Sequence, residues 1–298
     1  MTIEYINRQT GEKEKEIIAG EKLLDWAYGK KSGSCFMELL GKHKVLSWLY
    51  GTIQKSPFTK VKIKPFIDQL RINMDEALLE TPEEYASFNE FFKRNLKPAS
   101  RMIDQNSTSV VSPADGRILV YPIIKNGQLI QVKGKTSSIS AILGSDELAN
   151  FFVGGSAVII RLAPPDYHRF HFPVDGIPEK SSLIKGDYYS VNPLALRKVD
   201  NVYSQNKRMV TIVHSFRLGK VGMVEVGATL VGSIVQTYRP GAPVSKGTEK
   251  GYFQFGGSTV IVFFRPGALR WHSDLIDNTE NGFETLVQMG ESIADVNA

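Results

Sequence analysis

One seven-residue run near the C-terminus, Ser258–Phe264, constrains the fold more than any other part of the 298-residue chain. Both of its alternating faces are β-branched or apolar, with Thr259, Ile261 and Phe263 on one face and Val260, Val262 and Phe264 on the other. A strand with this pattern is buried on both sides. The run therefore predicts a central strand that carries the Ser258 hydroxyl to the edge of a dry core.

Two glycines precede that serine. Gly256 and Gly257 permit backbone angles that other residues avoid, and they leave the Gly257 carbonyl with little steric cover. The Gly257–Ser258 peptide is therefore a candidate for attack by the serine hydroxyl. A lone Gly-Gly-Ser is more often a tight turn into a strand, so the motif needs partners elsewhere in the chain.

Bulk composition sets wide limits. An apolar content of 42% supports one large domain, or a core with a smaller appendage. The single cysteine, Cys35, excludes an intrachain disulfide and a cysteine-rich metal site. No apolar run has the length of a spanning helix, and residues 1–20 are too charged for a signal peptide. We expect a protein on the cytoplasmic side, either soluble or peripheral to the cell membrane.

Basic residues concentrate in the N-terminal region. Between Gly29 and Ile67 there are eight lysines and one acidic residue, Glu38, and the surrounding pattern from Glu21 to Asn73 is helical and amphipathic. Such a segment suits an anionic membrane surface, or it is an ordinary helical subdomain with a solvated basic face. No nucleic-acid-binding module is present, so we expect no nucleic-acid partner.

The remaining chain changes from helical to β-rich. Thr81–Glu84 predicts a helix start, with the helix continuing to Leu96, and a second short helix is predicted over Glu284–Ala294. Short runs between them predict strands at 117–122, 129–132, 157–162, 209–216, 222–226 and 230–236. The fold class is α+β: N-terminal amphipathic helices, then a compact antiparallel β-rich catalytic domain, sandwich- or barrel-like, with a short C-terminal helix. We place the domains at residues 1–80, a membrane-associating region, and 81–298.

Three further residues can partner Ser258. Asp115 lies in a turn before a strand, where it can also serve only the backbone. His168 and His171 follow a double proline, and we expect both imidazoles to face one site. They can be a general base and its neighbour, two structural histidines, or part of a zinc site, although no convincing third ligand is evident and we expect no metal. Together, Asp115, a histidine and Ser258 supply a carboxylate, a base and a nucleophile.

These residues stand in a set of motifs that resembles the membrane-associated phosphatidylserine decarboxylases. The motifs follow the family's order over about Phe88 to Val287: Ser112–Gly116, Tyr167–Pro173, Ser190–Pro193, Val226–Ile234, Lys246–Gly247 and Gly256–Thr259. Many bacterial members have Leu-Gly-Ser-Thr where this chain has Gly256–Thr259. The glycine–serine bond is retained, so the resemblance implies that the chemistry survives.

The resemblance implies a zymogen that cuts itself autocatalytically. Ser258 attacks the Gly257 carbonyl, with His171, oriented by Asp115, as the base. The ester then breaks, and the new N-terminus becomes a covalent pyruvoyl group derived from Ser258. The products are a large chain ending at Gly257 and a small chain starting at residue 258, which form a heterodimer; homo-oligomers are also common in such enzymes.

The resemblance also implies the reaction. A lyase of phospholipid biosynthesis uses the pyruvoyl group to form a Schiff base with phosphatidylserine and releases carbon dioxide, giving phosphatidylethanolamine. His168 then returns a proton to the substrate carbon, and Ser190 contributes to substrate binding or merely caps a turn. Two other functions stay open: an uncut serine hydrolase using Asp115, His171 and Ser258, and a non-enzymatic β-sandwich carrier or binding module.

Overall fold

The computed structural model describes residues 3–17, 51–132, 135–228, 233–256 and 258–297. Its strands are β1 (Glu4–Asn7), β2 (Lys13–Lys15), β3 (Ser109–Val111), β4 (Gly116–Tyr121), β5 (Gln128–Val132), β6 (Lys135–Ser138), β7 (Ser156–Leu162), β8 (Arg169–His171), β9 (Gly176–Pro178), β10 (Ser182–Ile184), β11 (Arg208–Ser215), β12 (Gly219–Gly227), β13 (Ile234–Gln236), β14 (Glu249–Phe253), β15 (Ser258–Phe264), β16 (Leu269–Trp271), β17 (Glu284–Val287) and β18 (Ser292–Val296). Its α-helices are α1 (Ile63–Leu70), α2 (Phe88–Phe92), α3 (Ile139–Leu143), α4 (Asp146–Phe152), α5 (Pro193–Leu196), α6 (Val202–Gln205) and α7 (Ser273–Glu280). This confirms the predicted α+β class and its antiparallel β-rich part.

Strand β15 lies in the middle of the main sheet, as the two-faced apolar pattern predicts. Within the described ranges the sheet has the order β10–β11–β12–β15–β7–β4–β17–β1–β2, and β9 also pairs with β11. All pairs are antiparallel except β1–β17. Every residue of β15 is buried. At its start, Ser258 pairs with Gly227 of β12 and Leu162 of β7, so the serine is fixed by a strand on each side.

A smaller sheet, β13–β14–β8, lies over the main sheet near this point. A buried ion pair joins the two sheets, because Lys250 of β14 lies 2.9 Å from Glu225 of β12. Apolar side chains from both sheets, including Phe170 and Phe253, belong to one hydrophobic core. Strand β8 carries the predicted histidine segment, so this packing brings that segment to the sheet.

The chain before the β domain forms a second, smaller core. Its buried members are Ile63, Leu70, Ile72, Tyr85, Phe88 and Phe91, and Phe255 packs against them. The predicted Thr81–Glu84 cap is confirmed, since Thr81 N donates to Glu84 Oε2 at 2.8 Å. The predicted helix does not run on to Leu96, because Tyr85 is extended and Ser87 caps the separate helix α2.

The C-terminal helix is present at a different place from the one predicted. It is α7, whereas Glu284–Val287 and Ser292–Val296 are strands. These strands pair with β4 and β3, and tertiary pairing of this kind overrides the local helical pattern.

The predicted boundary near residue 80 stays a prediction. The hairpin β1–β2 nevertheless joins the main sheet through β17, so residues 4–15 belong structurally with the β domain. Most of the predicted amphipathic segment, residues 18–50, lies outside the described residues. Across the described ranges, no helix has the length and apolar character needed to cross a bilayer.

Candidate active site

The Ser258 hydroxyl lies against an imidazole at the start of β15. Its Oγ is 3.2 Å from Nδ1 of His168, and both side chains are fully buried. The approach to the serine depends on Gly256, whose φ of 138° is a backbone angle that residues with a Cβ avoid. Gly257 lies outside the described residues.

His168 is held as a neutral base that faces the serine. Its Nε2 lies 3.1 Å from the carbonyl oxygen of Ala163, which can only accept a hydrogen bond, so Nε2 carries the proton. The unprotonated Nδ1 is then the atom that accepts from Ser258. The loop that supplies Ala163 is pinned by Asp166, whose carboxylate accepts from Ala163 N at 2.6 Å and pairs with Arg117.

The surroundings of His168 disfavour a positive charge on it. Burial lowers its pKa to about 3, and the cations Arg94 and Arg117 act in the same direction. The ring of Phe92 stacks on the imidazole, with centroids 3.9 Å apart and planes 24° apart. His168 is thus a fixed, neutral imidazole at neutral pH.

His171 points to a different partner. Its Nδ1 lies 2.9 Å from the carbonyl oxygen of Gly247, so Nδ1 carries the proton and Nε2 is unprotonated. That Nε2 is buried and has no hydrogen-bond partner. Burial lowers the pKa of His171, while the backbone bond to Gly247 and the charges of Glu249 and Asp115 oppose the shift.

The two imidazoles have different hydrogen-bond partners, and the expectation that both face one site stays a prediction. His168 precedes strand β8, and His171 is the last residue of that strand. Each ring has its own partner, Ser258 for the first and Gly247 for the second.

Asp115 is close to this region but is bound elsewhere. Arg101 binds its carboxylate at two points, with Nε 2.9 Å from Oδ1 and Nη2 2.6 Å from Oδ2, and Met289 N donates to Oδ1 at 2.8 Å. Among the described hydrogen bonds none joins Asp115 to His171. The predicted orienting contact is thus replaced by the Gly247 carbonyl, and Asp115 acts on His171 through its charge alone.

Ser190 lies in a loop that is tied to the same end of the sheet. Its Oγ accepts from Asn192 N at 3.2 Å, which is the turn-capping role that the sequence also allowed. The next residue back, Tyr189, accepts from Asn206 Nδ2 at 2.7 Å, and the same amide donates to Gly227, the register partner of Ser258. The loop is therefore connected to the site through Asn206.

Sequence reasoning missed Phe92, Arg94 and Arg101. Phe92 was expected only as part of an apolar helix face, and the two arginines follow that helix in a segment that resembles a solvent-exposed helix end. In the described part of the chain, no three His, Cys, Asp or Glu side chains form a metal-binding group.

The fold and site together define a β-rich protein with a buried serine–histidine pair at the start of its central strand. Residues 88–295 match the family model for phosphatidylserine decarboxylase. The chain belongs to the phosphatidylserine decarboxylase family.

Relatives match over nearly the whole chain, and those described here are each named phosphatidylserine decarboxylase proenzyme. The protein of Clostridium kluyveri is 48% identical over 291 residues, which is 98% of both chains. That of Clostridium perfringens is 44% identical over 293 residues, 98% of this chain and 99% of the relative. That of Desulfitobacterium hafniense is 43% identical over 292 residues, 98% of this chain and 97% of the relative.

Proposed function

We propose that this chain is a phosphatidylserine decarboxylase proenzyme, a carboxy-lyase precursor that cleaves itself between Gly257 and Ser258. The observation that carries the proposal is the buried contact of 3.2 Å between Ser258 Oγ and His168 Nδ1. This contact holds the Ser258 hydroxyl in position, and a base must still take its proton before the hydroxyl is a useful nucleophile. Family membership and the word proenzyme in the relatives' names support the same step.

The cleavage needs only the chain and one water. Ser258 Oγ loses its proton and attacks the Gly257 carbonyl carbon; the C–N bond then breaks, leaving an ester and a free amine. Loss of the Ser258 α-proton expels the Gly257 carboxylate and leaves a carbon–carbon double bond. The resulting enamine becomes an imine, and water replaces its nitrogen, which departs as ammonia. The small chain then begins with a pyruvoyl group.

The electrostatics of the two histidines favour different duties. Glu249 and Asp115 favour a positive charge on His171, whereas Arg94 and Arg117 disfavour one on His168. We assign the base role in maturation to His171, as the family resemblance implies, and the atom that would accept the proton is its Nε2, which has no hydrogen-bond partner among the described residues. His168 contacts the Ser258 hydroxyl. From that position it would return a proton to the substrate carbon after carbon dioxide has left.

The residues around position 258 fit the pyruvoyl group that this cleavage would form. His168 is already in contact with the residue, and two buried atoms, His171 Nε2 and Thr259 Oγ1, have no hydrogen-bond partner among the described residues. When formed, the group supplies an electrophilic carbonyl that takes up the substrate amine and draws off the electrons released with carbon dioxide.

The two products of cleavage would stay together. The small chain, from residue 258 onward, supplies β15, which lies between β12 and β7 of the large chain. It also supplies β17, which pairs with β4 and β1. Since Ser258 and His168 are fully buried, we infer that breaking the chain at this point opens a path for the lipid.

The surface of the N-terminal region supports a peripheral position on the membrane, for which we propose the cytoplasmic face. In the 3₁₀ turn Pro57–Lys62, Phe58 is 88% exposed and Val61 is 78% exposed, beside Lys60 and Lys62. Exposed apolar side chains among lysines are typical of segments that enter the interface of an anionic bilayer.

Conversion of phosphatidylserine in vesicles tests the proposal. We expect purified protein to release carbon dioxide and form phosphatidylethanolamine, and a reagent that traps carbonyl groups, such as phenylhydrazine, to abolish both. The Ser258→Ala variant should form no product. Activity that survives phenylhydrazine would reject the pyruvoyl group. Labelling of Ser258 in an uncut chain by an acylating probe would instead support the serine hydrolase, which the same serine–histidine contact permits.

A further inference from the structure

Arg94 is a buried cation beside the active site with most of its hydrogen-bonding capacity unused. Arg94 lies two residues after the end of α2, and it is only 5% exposed. Nη2 donates to the carbonyl oxygen of Pro165 at 2.8 Å, in the loop that leads to His168. Nε and Nη1 are buried and have no hydrogen-bond partner in the part of the chain that the structure describes.

The guanidinium also lacks a counterion among the described residues. Asp115 and Asp166 are near enough to favour its charge, yet the carboxylate of the first is bound by Arg101 and that of the second by Arg117. Two contacts place it near His168: it donates to Pro165, three residues before that histidine, and Phe92, two residues before Arg94, stacks on the imidazole. Burying an unpaired charge costs folding free energy. An anionic ligand bound at Arg94 would offset that cost.

Arg208 shows what a purely structural buried arginine does in this fold. It is 3% exposed and has no acidic partner among the described residues, as with Arg94. All three of its guanidinium nitrogens, however, donate to backbone carbonyls, including Nε to Ile142 at 2.7 Å. Arg94 differs from it in having two unused nitrogens next to a catalytic imidazole.

We propose that Arg94 binds the phosphodiester of the phospholipid headgroup and so positions the substrate at residue 258. The proposal rests on the proposed decarboxylase function. Nε and Nη1 lie on different edges of the guanidinium, and Nη2 belongs to both edges. Nη2 gives one of its two hydrogens to Pro165, so the other hydrogen, with Nε or Nη1 on the same edge, can bind two oxygens of a phosphate. The substrate carboxylate offers the same geometry, but it leaves as uncharged carbon dioxide. A cation bound to it would stabilise the starting state more than the transition state, so phosphate is the anion that Arg94 can hold without slowing the chemistry.

The test compares mature wild-type protein with Arg94→Gln, Arg94→Lys and the matched control Arg208→Gln. Intact mass first establishes that each protein is cleaved. Kinetics with phosphatidylserine micelles then give KM and kcat. Two inhibitors test the phosphate and the carboxylate separately. Glycerophosphoethanolamine carries a phosphodiester and no carboxylate, whereas serine carries a carboxylate and no phosphodiester.

For Arg94→Gln we expect KM to rise roughly ten- to hundredfold, with kcat changed by less than about threefold. Inhibition by glycerophosphoethanolamine should weaken by a similar factor, and inhibition by serine should not change. Arg94→Lys keeps the charge without the planar edge, so it should fall between wild type and Arg94→Gln. Arg208→Gln should lower the melting temperature and leave KM unchanged.

An unchanged KM in Arg94→Gln and Arg94→Lys would overturn the proposal, and so would selective loss of serine inhibition. Failure of the Arg94 variants to cleave, while Arg208→Gln cleaves, would place Arg94 in maturation and overturn it as well. Calorimetric titration of glycerophosphoethanolamine into wild type and both Arg94 variants needs no turnover. Applied to the cleaved proteins, it therefore judges Arg94 independently of decarboxylation, and equal affinity in all three would reject the site.

Discussion

Arg101 and Asp115 form a two-point salt bridge, with contacts of 2.9 and 2.6 Å, and both side chains are less than one-tenth exposed. Arg101 also lies 2.9 Å from Glu76, so this arginine connects the turn at Asp115 to the N-terminal region. The carboxylates raise the pKa of Arg101. The Asp115 carboxylate therefore accepts its hydrogen bonds from Arg101 and from Met289 N. It affects His171 only through its charge.

This arrangement predicts which residue is coupled to Asp115. In the uncleavable Ser258→Ala background, Asp115→Asn should lower the free energy of unfolding by about 3 kcal/mol, because it leaves a buried cation partly unpaired. Double-mutant cycles from denaturant unfolding should give about 1.5 kcal/mol or more of coupling to Arg101→Gln, and less than about 0.5 kcal/mol to His171→Gln. Stronger coupling to His171 would restore the triad predicted from the sequence.

The two histidines should have separable effects on maturation and turnover. His171→Ala removes the imidazole that is proposed to take the Ser258 proton, so this variant should stay uncut. His168→Ala should still cleave, more slowly, and the mature protein should form at least about a hundredfold less product. Mass spectrometry and product assays report the two steps, and circular dichroism checks folding. Cleavage of His171→Ala with an uncut His168→Ala would transfer the base role to His168.

Acid should destabilise the precursor through His168. Its pKa is about 3 in the folded chain and near 6.5 when exposed, so between these values the unfolded state binds the extra proton. Stability is therefore lost as the pH falls below about 6.5. In the Ser258→Ala background, this loss should exceed that of the additional His168→Gln variant by about 2 kcal/mol at pH 5. Denaturant unfolding from pH 7 to 4.5 measures the difference, and parallel curves for the two proteins would contradict a buried neutral His168.

Membrane binding should depend on Phe58. Phe58→Asp should reduce binding to anionic vesicles roughly tenfold or more, because it replaces an inserted ring by a like-charged group. Phe216, which is 67% exposed on the β domain, provides the matched control, and Phe216→Asp should bind as wild type does. Vesicle sedimentation at two salt concentrations makes the comparison. An equal loss of vesicle binding in both variants would contradict the proposal that the surface around Phe58 contacts the membrane.

The sequence predicted what local pattern determines. Strand β15 followed from two apolar faces, and the Thr81–Glu84 cap followed from its residue spacing. The helix predicted over 284–294 was wrong because Thr285 and Ile293 are buried by pairing with distant strands. No helix was predicted over α7, whose weak apolar pattern leaves Leu275 as its one buried residue.

The site was predictable in its residue types and not in its contacts. Serine, histidine and aspartate were predicted to form one site, and their roles stay predictions; among the described hydrogen bonds, only Ser258 and His168 are joined. Tertiary structure determines the hydrogen-bond partner of each side chain. The Ala163 carbonyl fixes the tautomer of His168, and Arg101 binds the carboxylate of Asp115. Neither contact has a signal in the local sequence, because both depend on how loops from different strands meet.

Self-cleavage at Ser258 is the central claim, and the intact mass of the denatured protein tests it most directly. Wild type should give two species, residues 1–257 and a pyruvoyl-blocked chain beginning at position 258. Ser258→Ala, prepared in the same way, should give one full-length species. A single full-length mass for wild type after prolonged incubation would contradict the account, and cleavage in both proteins at another bond would do the same.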